Sequence, residues 1–423
     1  MAMEFTKEWA SKEDEKCDLK SFREEFIFPQ HNGKPVLYFT GNSLGLQSKR
    51  CREAVERHLD KWGAEAVDGH FTGEDQWFNL HAASKKGFAY MMGAKESEVS
   101  VMNGLTTNLH LMLSSFYQQN GTKKKIIIEE KAFPSDYYVV ESFLRLQGLD
   151  PEENLLEIPY SEGKLFDTDT TKVFIDKHAD DTALMLVGGL NYYSGQVLDM
   201  PAITQFAQSK NIVVGWDLAH AAGNVECQLH DWNVDFACWC TYKYMNSGPG
   251  APSGIFVHEK HHKSNLPRMA GWWGYEQKTR FNMDKKFVPM EGADGWQQSN
   301  GPALAIAPIA ASLSLFLDAG KEKLFSKRDR LSEYLAAGLH DLNAKLGGAY
   351  FEIISPKSMS ERGSQVSIYV KDQAKELFDY MCSEGVVPDY RKPNVIRLAP
   401  VPLYNNFMDI CETLKIIEAF YKK

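Results

Sequence analysis

The sequence predicts an α/β fold, a large domain with a mostly parallel sheet followed by a small α+β C-terminal domain, and two observations predict it. Between residues 126 and 257, short and nearly continuous apolar runs alternate with helical patterns, as strands covered on both faces and joined by helices require. After Gly347-Gly348 the pattern changes to short strands and two helices, which marks a separate unit. Taken in order, strands are expected over 126–128, 183–187, 212–214, 236–240 and 254–257, with helices over 135–147 and 201–209 in the gaps. Residues 302–342 carry apolar positions three and four apart and read as one long helical stretch bridging two domains. Beyond it, strands at 350–354, 365–370 and 395–399 and helices at 374–383 and 407–421 complete the small unit. The division expected is an N-terminal segment 1–50, a large α/β domain 51–330 and a C-terminal α+β domain 331–423.

Composition narrows the function. Lys plus Arg number 47 against 56 Asp plus Glu, and a net charge of −9 disfavours nucleic acid and anionic membranes as partners. The seven cysteines are scattered without a CxxC pair, so neither a disulfide framework nor a zinc site is expected and a reducing compartment fits. The N-terminus is charged and has no apolar core, and no run approaches eighteen apolar residues, so the expectation is a soluble cytoplasmic protein. His258, His261 and His262 follow a strand without regular ligand spacing, and no metal is expected there. Cys238 and Cys240 alternate with Trp239 and read as small core residues.

The chemistry concentrates between residues 212 and 250. Asp217 and His220 follow one predicted strand, and Tyr242 and Lys243 follow another. Ligands of open α/β sheets gather at the carboxyl ends of strands, so these residues can meet in one crevice. A lysine able to form a Schiff base and a carboxylate able to keep a pyridine nitrogen protonated are what pyridoxal phosphate needs. A helix-capping Asp217 and a surface Lys243 remain the plain alternative. Residues 103–108 precede an apolar helical stretch, so backbone amides at Leu105 and Thr106 can cradle a phosphate, or the segment is an ordinary capped helix. Phe133-Pro134-Ser135-Asp136 follows a strand and offers a ring to stack on a flat cofactor and a carboxylate for its polar network. Trp272, in a Gly-Trp-Trp-Gly turn, offers an indole N–H to a phosphate or else packs a core corner. His70, Ser299 and Asn300 add polar groups in apolar surroundings. Arg397 lies inside an apolar strand pattern, where its guanidinium needs either a substrate carboxylate or an internal salt bridge.

The segments YFTGNSLGL (38–46), NGLTTNLH (103–110), FPSD (133–136), DLAH (217–220), HDWNVDFACWCTYKYMNSGPG (230–250), AGWWG (270–274) and IRLAPVPLY (396–404) together resemble the kynureninases. These are pyridoxal phosphate enzymes of the fold type I, aminotransferase-like superfamily, and the likeness runs in order over nearly the whole chain. It implies that Lys243 holds the cofactor as a Schiff base, Asp217 pairs with the pyridine nitrogen, Phe133 stacks on the ring with Asp136 close by, and His220 borders it. Leu105, Thr106 and Tyr242 would hold the phosphate, with Trp272 reaching it from a partner subunit and Asn300 completing the neighbour's site. Arg397 would take the substrate α-carboxylate, and His70, Ser299 and Asn300 would line the pocket for the aromatic ring. Gly188 stands where the family leads us to expect a serine near the cofactor. The resemblance implies hydrolytic Cβ–Cγ cleavage of kynurenine or 3-hydroxykynurenine to L-alanine and an anthranilate, the polar trio favouring the 3-hydroxy substrate, with Tyr242 carrying a proton in a homodimer with shared sites. A cysteine desulfurase or another aminotransferase-like enzyme, and a catalytically silent ligand-binding relative, are the rival readings.

Overall fold

The computed structural model describes residues 3–161, 165–348 and 350–422. Met1 and Ala2, at the head of the expected N-terminal segment, lie outside these. The large sheet contains β1 (Val99–Met102), β2 (Lys125–Glu129), β3 (Leu155–Ile158), β4 (Thr182–Gly188), β5 (Val213–Asp217), β6 (Phe236–Trp239) and β7 (Ser253–Val257), in the spatial order β1-β7-β6-β5-β4-β2-β3. β7 runs antiparallel to both its neighbours, whereas the β6-β5-β4-β2-β3 series is parallel throughout. The sheet is therefore mixed and mostly parallel.

Alternate residues of each strand face opposite cores, which is why the strands read as unbroken apolar runs. Ile127, Met185, Val187, Trp216 and Trp239 pack into one core, and Ile126, Ile128, Leu184, Leu186 and Phe236 into the other. The connections are helical: α1 (Leu105–Phe116) follows β1, α2 (Pro134–Leu146) follows β2 with Pro134 at its first turn, α3 (Thr168–Lys177) precedes β4, and α4 (Met200–Ser209) precedes β5. Asp167 and Asp199 cap α3 and α4 through their side chains.

The stretch expected to be helical over 302–342 forms two helices, α5 (Ala303–Ala319) and α6 (Lys321–Lys345), bent by 84°. Gly320 sits at the corner with φ +77° and ψ 129°, a conformation that glycine tolerates and a side chain opposes. Among the described residues no single helix is long and apolar enough to cross a membrane. A second sheet, in the order β8-β9-β11-β10, is formed by β8 (Phe351–Ile353), β9 (Val366–Val370), β10 (Asp389–Arg391) and β11 (Val395–Leu398), all antiparallel. It shares a core with α6, α7 (Ala374–Ser383) and α8 (Phe407–Tyr421).

The start of the chain packs onto its end. The N-terminal helix Lys7–Glu15 lies against α8, with Trp9 stacked on Tyr334 at 4.8 Å and edge-on to Phe407. Asp14 accepts hydrogen bonds from the backbone amides of Phe407 (2.8 Å) and Met408 (3.0 Å), so it supplements Asn406 in capping α8.

Candidate active site

Strand ends bring the chemistry together. β5 ends at Asp217, β4 ends beside it in register at Gly188, and the loop after β6 carries Tyr242 and Lys243. A cavity of about 380 Å³ is walled by Leu105, Thr106, Phe133, Ser135, Asp136, Gly188, Asp217, His220, Tyr242 and Lys243, all ten of them expected at the site. Pro134 is adjacent, opening α2, and is not itself in the wall. Gly45 explains how the N-terminal segment seals this region. Its amide donates to the Tyr242 carbonyl at 2.8 Å, and a Cβ there would lie 2.5 Å from the Lys243 carbonyl oxygen, so a side chain would push the lysine loop away.

One part of the wall is acidic. The Asp217 Oδ1 accepts from the Ala219 amide at 2.7 Å, and the Asp136 and Asp217 carboxyls hydrogen-bond to each other. Burial, then the neighbouring charges of Asp217 and Glu129, hold the Asp136 carboxyl well above its usual range, so it keeps the shared proton. Burial also pushes Asp217 up, opposed by the hydrogen bond from Asp136, by Lys243 and by the Ala219 amide. Glu129, at the end of β2, is a third buried carboxyl; burial raises it to about 7, and its Oε2 accepts from the Gly188 amide at 3.1 Å. Gly188 thus contributes its backbone where a serine hydroxyl was expected. Burial and then Lys243, Arg397 and Arg391 hold His220 well below its usual range, which leaves it a neutral ring. Burial raises Tyr242, so its hydroxyl keeps its proton.

The fit to pyridoxal phosphate rests on groups left without partners. Asp136 Oδ1 and His220 Nδ1 are buried and have no hydrogen-bond partner in the protein. α1 begins at Gly104 with no side-chain cap, leaving the first amides free for an anion beside Thr106 Oγ1, which lies 2.7 Å from Ser135 Oγ. The Phe133 ring centroid is 5.9 Å from Lys243 Nζ. Lysine, acid pair, flat ring and anion cradle therefore surround one space, which suits a phosphorylated pyridine aldehyde.

Four expected residues are not brought to this cavity within the chain. His70 and Asn300 line a separate hollow of about 510 Å³ with His58, Trp62 and Trp77. Ser299 is exposed, and Trp272 is 47% exposed with its indole N–H donated to the Arg280 carbonyl at 3.3 Å. Between these hollows lies an apolar one of about 870 Å³ that shares Leu304 with the His70 hollow and Ala251 with the Lys243 cavity. Arg397 is not in the wall either, though it donates to the carbonyl of Tyr192, which is. It has no exposed surface and is paired with Asp389, the internal salt bridge that was the alternative for an arginine in an apolar strand. Arg391, which the sequence pattern does not flag, stands in the cavity wall. Glu129 was equally unflagged, although a lone carboxyl at the carboxyl end of an apolar strand is a readable signal.

No cysteine in the wall suits a mobile nucleophile: Cys240 is buried, and burial raises its thiol. Away from the cavity, Glu98, His230 and His258 bring potential ligand atoms within 4.8 Å of one another. His230 Nδ1 lies 2.9 Å from Glu98 Oε1, and His258 Nδ1 accepts from the Lys260 amide, so protein partners already occupy both nitrogens.

Comparison with known proteins agrees with this geometry. The kynureninase C-terminal domain family matches residues 324–417. The chain is 49% identical to a kynureninase of Flavobacterium psychrophilum over 97% of both chains, and 47% identical to one of Flavobacterium johnsoniae over 99% of both. A kynureninase of Xanthomonas campestris is 47% identical over 95% of each. Among solved structures, the Escherichia coli cysteine desulfurase CsdA superposes with a TM-score of 0.77 at 13% identity, covering 95% of this chain and 98% of that one. A C-DES mutant with glycine covalently linked to its PLP cofactor superposes with a TM-score of 0.75 at 17% identity, covering 90% and 96%. The folds are those of fold type I enzymes, and near-half identity over the full length decides among them: this chain belongs to the kynureninase family.

Proposed function

We infer that the protein uses pyridoxal phosphate to cleave the Cβ–Cγ bond of L-kynurenine or 3-hydroxy-L-kynurenine by hydrolysis, releasing L-alanine and anthranilate or 3-hydroxyanthranilate. The observation that carries this reading is the meeting of Lys243, the Asp136–Asp217 pair and the open start of α1 around one cavity. Pyridoxal phosphate, when bound, supplies an electron sink that stabilises carbanions next to the amine-bearing carbon.

The residues divide the work. The Lys243 amine would hold the cofactor as a Schiff base and, when free, would move the proton at the substrate α-carbon. Asp217 keeps a proton on the ring nitrogen, and Asp136 shares its own with Asp217 so that two buried charges are not opposed. Phe133 would pack on the ring, the α1 amides at Leu105 and Thr106 would hold the phosphate, and neutral His220 would border the ring without adding charge. Tyr242, which holds its proton, would deliver it to the substrate β-carbon that keeps the electron pair when the Cβ–Cγ bond breaks, while the hydrated γ-carbon leaves as the carboxylate of the anthranilate. Arg397 belongs to the binding of the substrate α-carboxylate.

His70, Ser299, Asn300 and Trp272 act across a homodimer, each completing the partner's cavity. Support for this comes from their separation from Lys243 within one chain and from an exposed apolar cluster, Phe71, Trp272, Phe281 and Met283, that a lone subunit would leave in water. The hydrogen-bonding trio favours the 3-hydroxy substrate, because a site built to bind a ring hydroxyl discriminates by about 1 to 3 kcal/mol against a substrate lacking it.

The test is alanine release from kynurenine and from 3-hydroxykynurenine by the purified protein with added cofactor. Turnover of either that is lost in Lys243→Ala supports the reaction, and faster release from the hydroxylated substrate supports the trio's role. No release from either, in a protein that binds the cofactor, overturns the reading.

A further inference from the structure

Three neighbouring strands of the large sheet end at the Lys243 cavity, and the middle one ends without a side chain. In the order β5-β4-β2, Asp217 closes β5, Gly188 closes β4 and Glu129 closes β2. Asp217 and Gly188 are paired in register, and Glu129 Oε2 accepts from the Gly188 amide at 3.1 Å. A Cβ at Gly188 would lie 2.9 Å from Glu129 Oε1, too close for a side chain to enter without a shift. The bare end of β4 is thus what gives the Glu129 carboxyl its room, one strand from Asp217.

That carboxyl is buried and stands in the cavity wall. It accepts from two backbone amides, its own and that of Gly188. The titratable groups that face it are Asp217 from β5, Asp136 from α2 and Tyr160 from the segment after β3. Burial pushes Tyr160 up to about 12, so its hydroxyl stays neutral, and the neighbouring Glu130 is engaged by the Tyr160 amide at 2.9 Å. Lys243 acts on Asp136 and Asp217, and Asp136 keeps the proton it shares with Asp217. Glu129 and Asp217 are therefore the two acids of the wall whose negative charges act together. Burial holds Glu129 at about 7, which makes it neutral at pH 5 and ionised at pH 8.

We propose that Glu129 is a positioning residue for the ring nitrogen of the cofactor: its carboxylate, seated in the room that Gly188 leaves, adds a second negative charge beside Asp217 and tightens the hold on a protonated ring. A buried charge is little screened, so it favours a nearby cation without touching it. This inference rests on the contact between Asp217 and the ring nitrogen assigned above and adds a residue that the sequence pattern does not flag.

The experiment gives the cofactor-free, full-length protein either pyridoxal phosphate or its deaza analogue, in which a C–H replaces the ring nitrogen and no ring proton can be held. Equilibrium dialysis at pH 5 and pH 8 yields the preference for one over the other. Phosphate and aldehyde are common to both ligands, so the preference isolates the ring nitrogen, and general damage to a variant cancels. Glu129→Gln still accepts from the Gly188 amide but carries no charge. Its preference at pH 8 should fall below the parent's by about threefold to tenfold, as a coupling of up to one pKa unit requires, and at pH 5 it should equal the parent's. Glu129→Asp, which keeps the charge, should retain part of the pH 8 preference. No fall at pH 8, or the same fall at both pH values, overturns the proposal. The two levels separate: a parent that prefers neither ligand removes the Asp217 contact as well, whereas a preference that Glu129→Gln leaves intact removes Glu129 alone.

Discussion

A carboxyl that titrates near neutrality ties stability to pH, and Glu129 is such a group. Burial raises it from 4.5 to about 7, and the Asp217 charge adds to the rise against the Gly188 amide. Between those two values the folded protein binds the Glu129 proton and the unfolded chain releases it, so folding is favoured on the acid side and stability falls as pH climbs through the window. The contribution is roughly 3 kcal/mol across the full span. Glu129→Gln, neutral at every pH and still able to accept from the Gly188 amide, should flatten that part of the profile. Melting of the cofactor-free protein at pH 5 and pH 8 checks it: the drop between the two should be smaller in the variant, and an equal drop would assign the effect to Asp136 and Asp217. The sequence does show Lys243 and Asp217, because each follows an apolar strand. It does not show Arg391, whose place depends on a two-residue separation from Asp389 along a short edge strand.

Elements were legible where a single physical signal set them. α7 and α8 have the residues expected, since both carry a clear apolar stripe between breakers. β1 and β3 escaped detection: each is four residues long, and Ser100 and Glu157 interrupt the apolar run. β7 reads as a strand in the sequence but not as an antiparallel one, because direction depends on the connection and leaves no mark on composition. The break at Gly320 was likewise hidden, since the apolar spacing runs through it. α8 supplies a prediction at this scale. Its first amides are capped by Asp14 from the other end of the chain, and Asp14→Ala should cost about 1 kcal/mol. Denaturant unfolding measures this, and a variant as stable as the parent would show that Asn406 alone suffices.

At the scale of the molecule, the Lys243 cavity and the hollow of His70 and Asn300 stand apart within one chain, and the shared-site dimer proposed for them can be tested. Sites completed across a twofold axis predict complementation. Lys243→Ala and a His70→Ala/Asn300→Ala double variant should each be inactive alone, while an equal mixture after subunit exchange should reach about a quarter of wild-type turnover, since half the dimers are hybrid and each has one intact site. Activity that stays at the sum of the two separate proteins would place each complete site within a single chain.

The contact between the helix Lys7–Glu15 and α8 bears on how the protein is made. The ribosome adds about 5 to 20 residues each second, so residue 407 follows residue 15 after about 20 to 80 s. Throughout that interval Trp9 and the Asp14 carboxylate face solvent or chaperones, and Tyr334, once synthesised, has only part of its packing. Assembly of the first helix is thus a terminal event of translation, and a nascent chain that stalls before residue 407 displays an unpaired aromatic helix to cellular quality control.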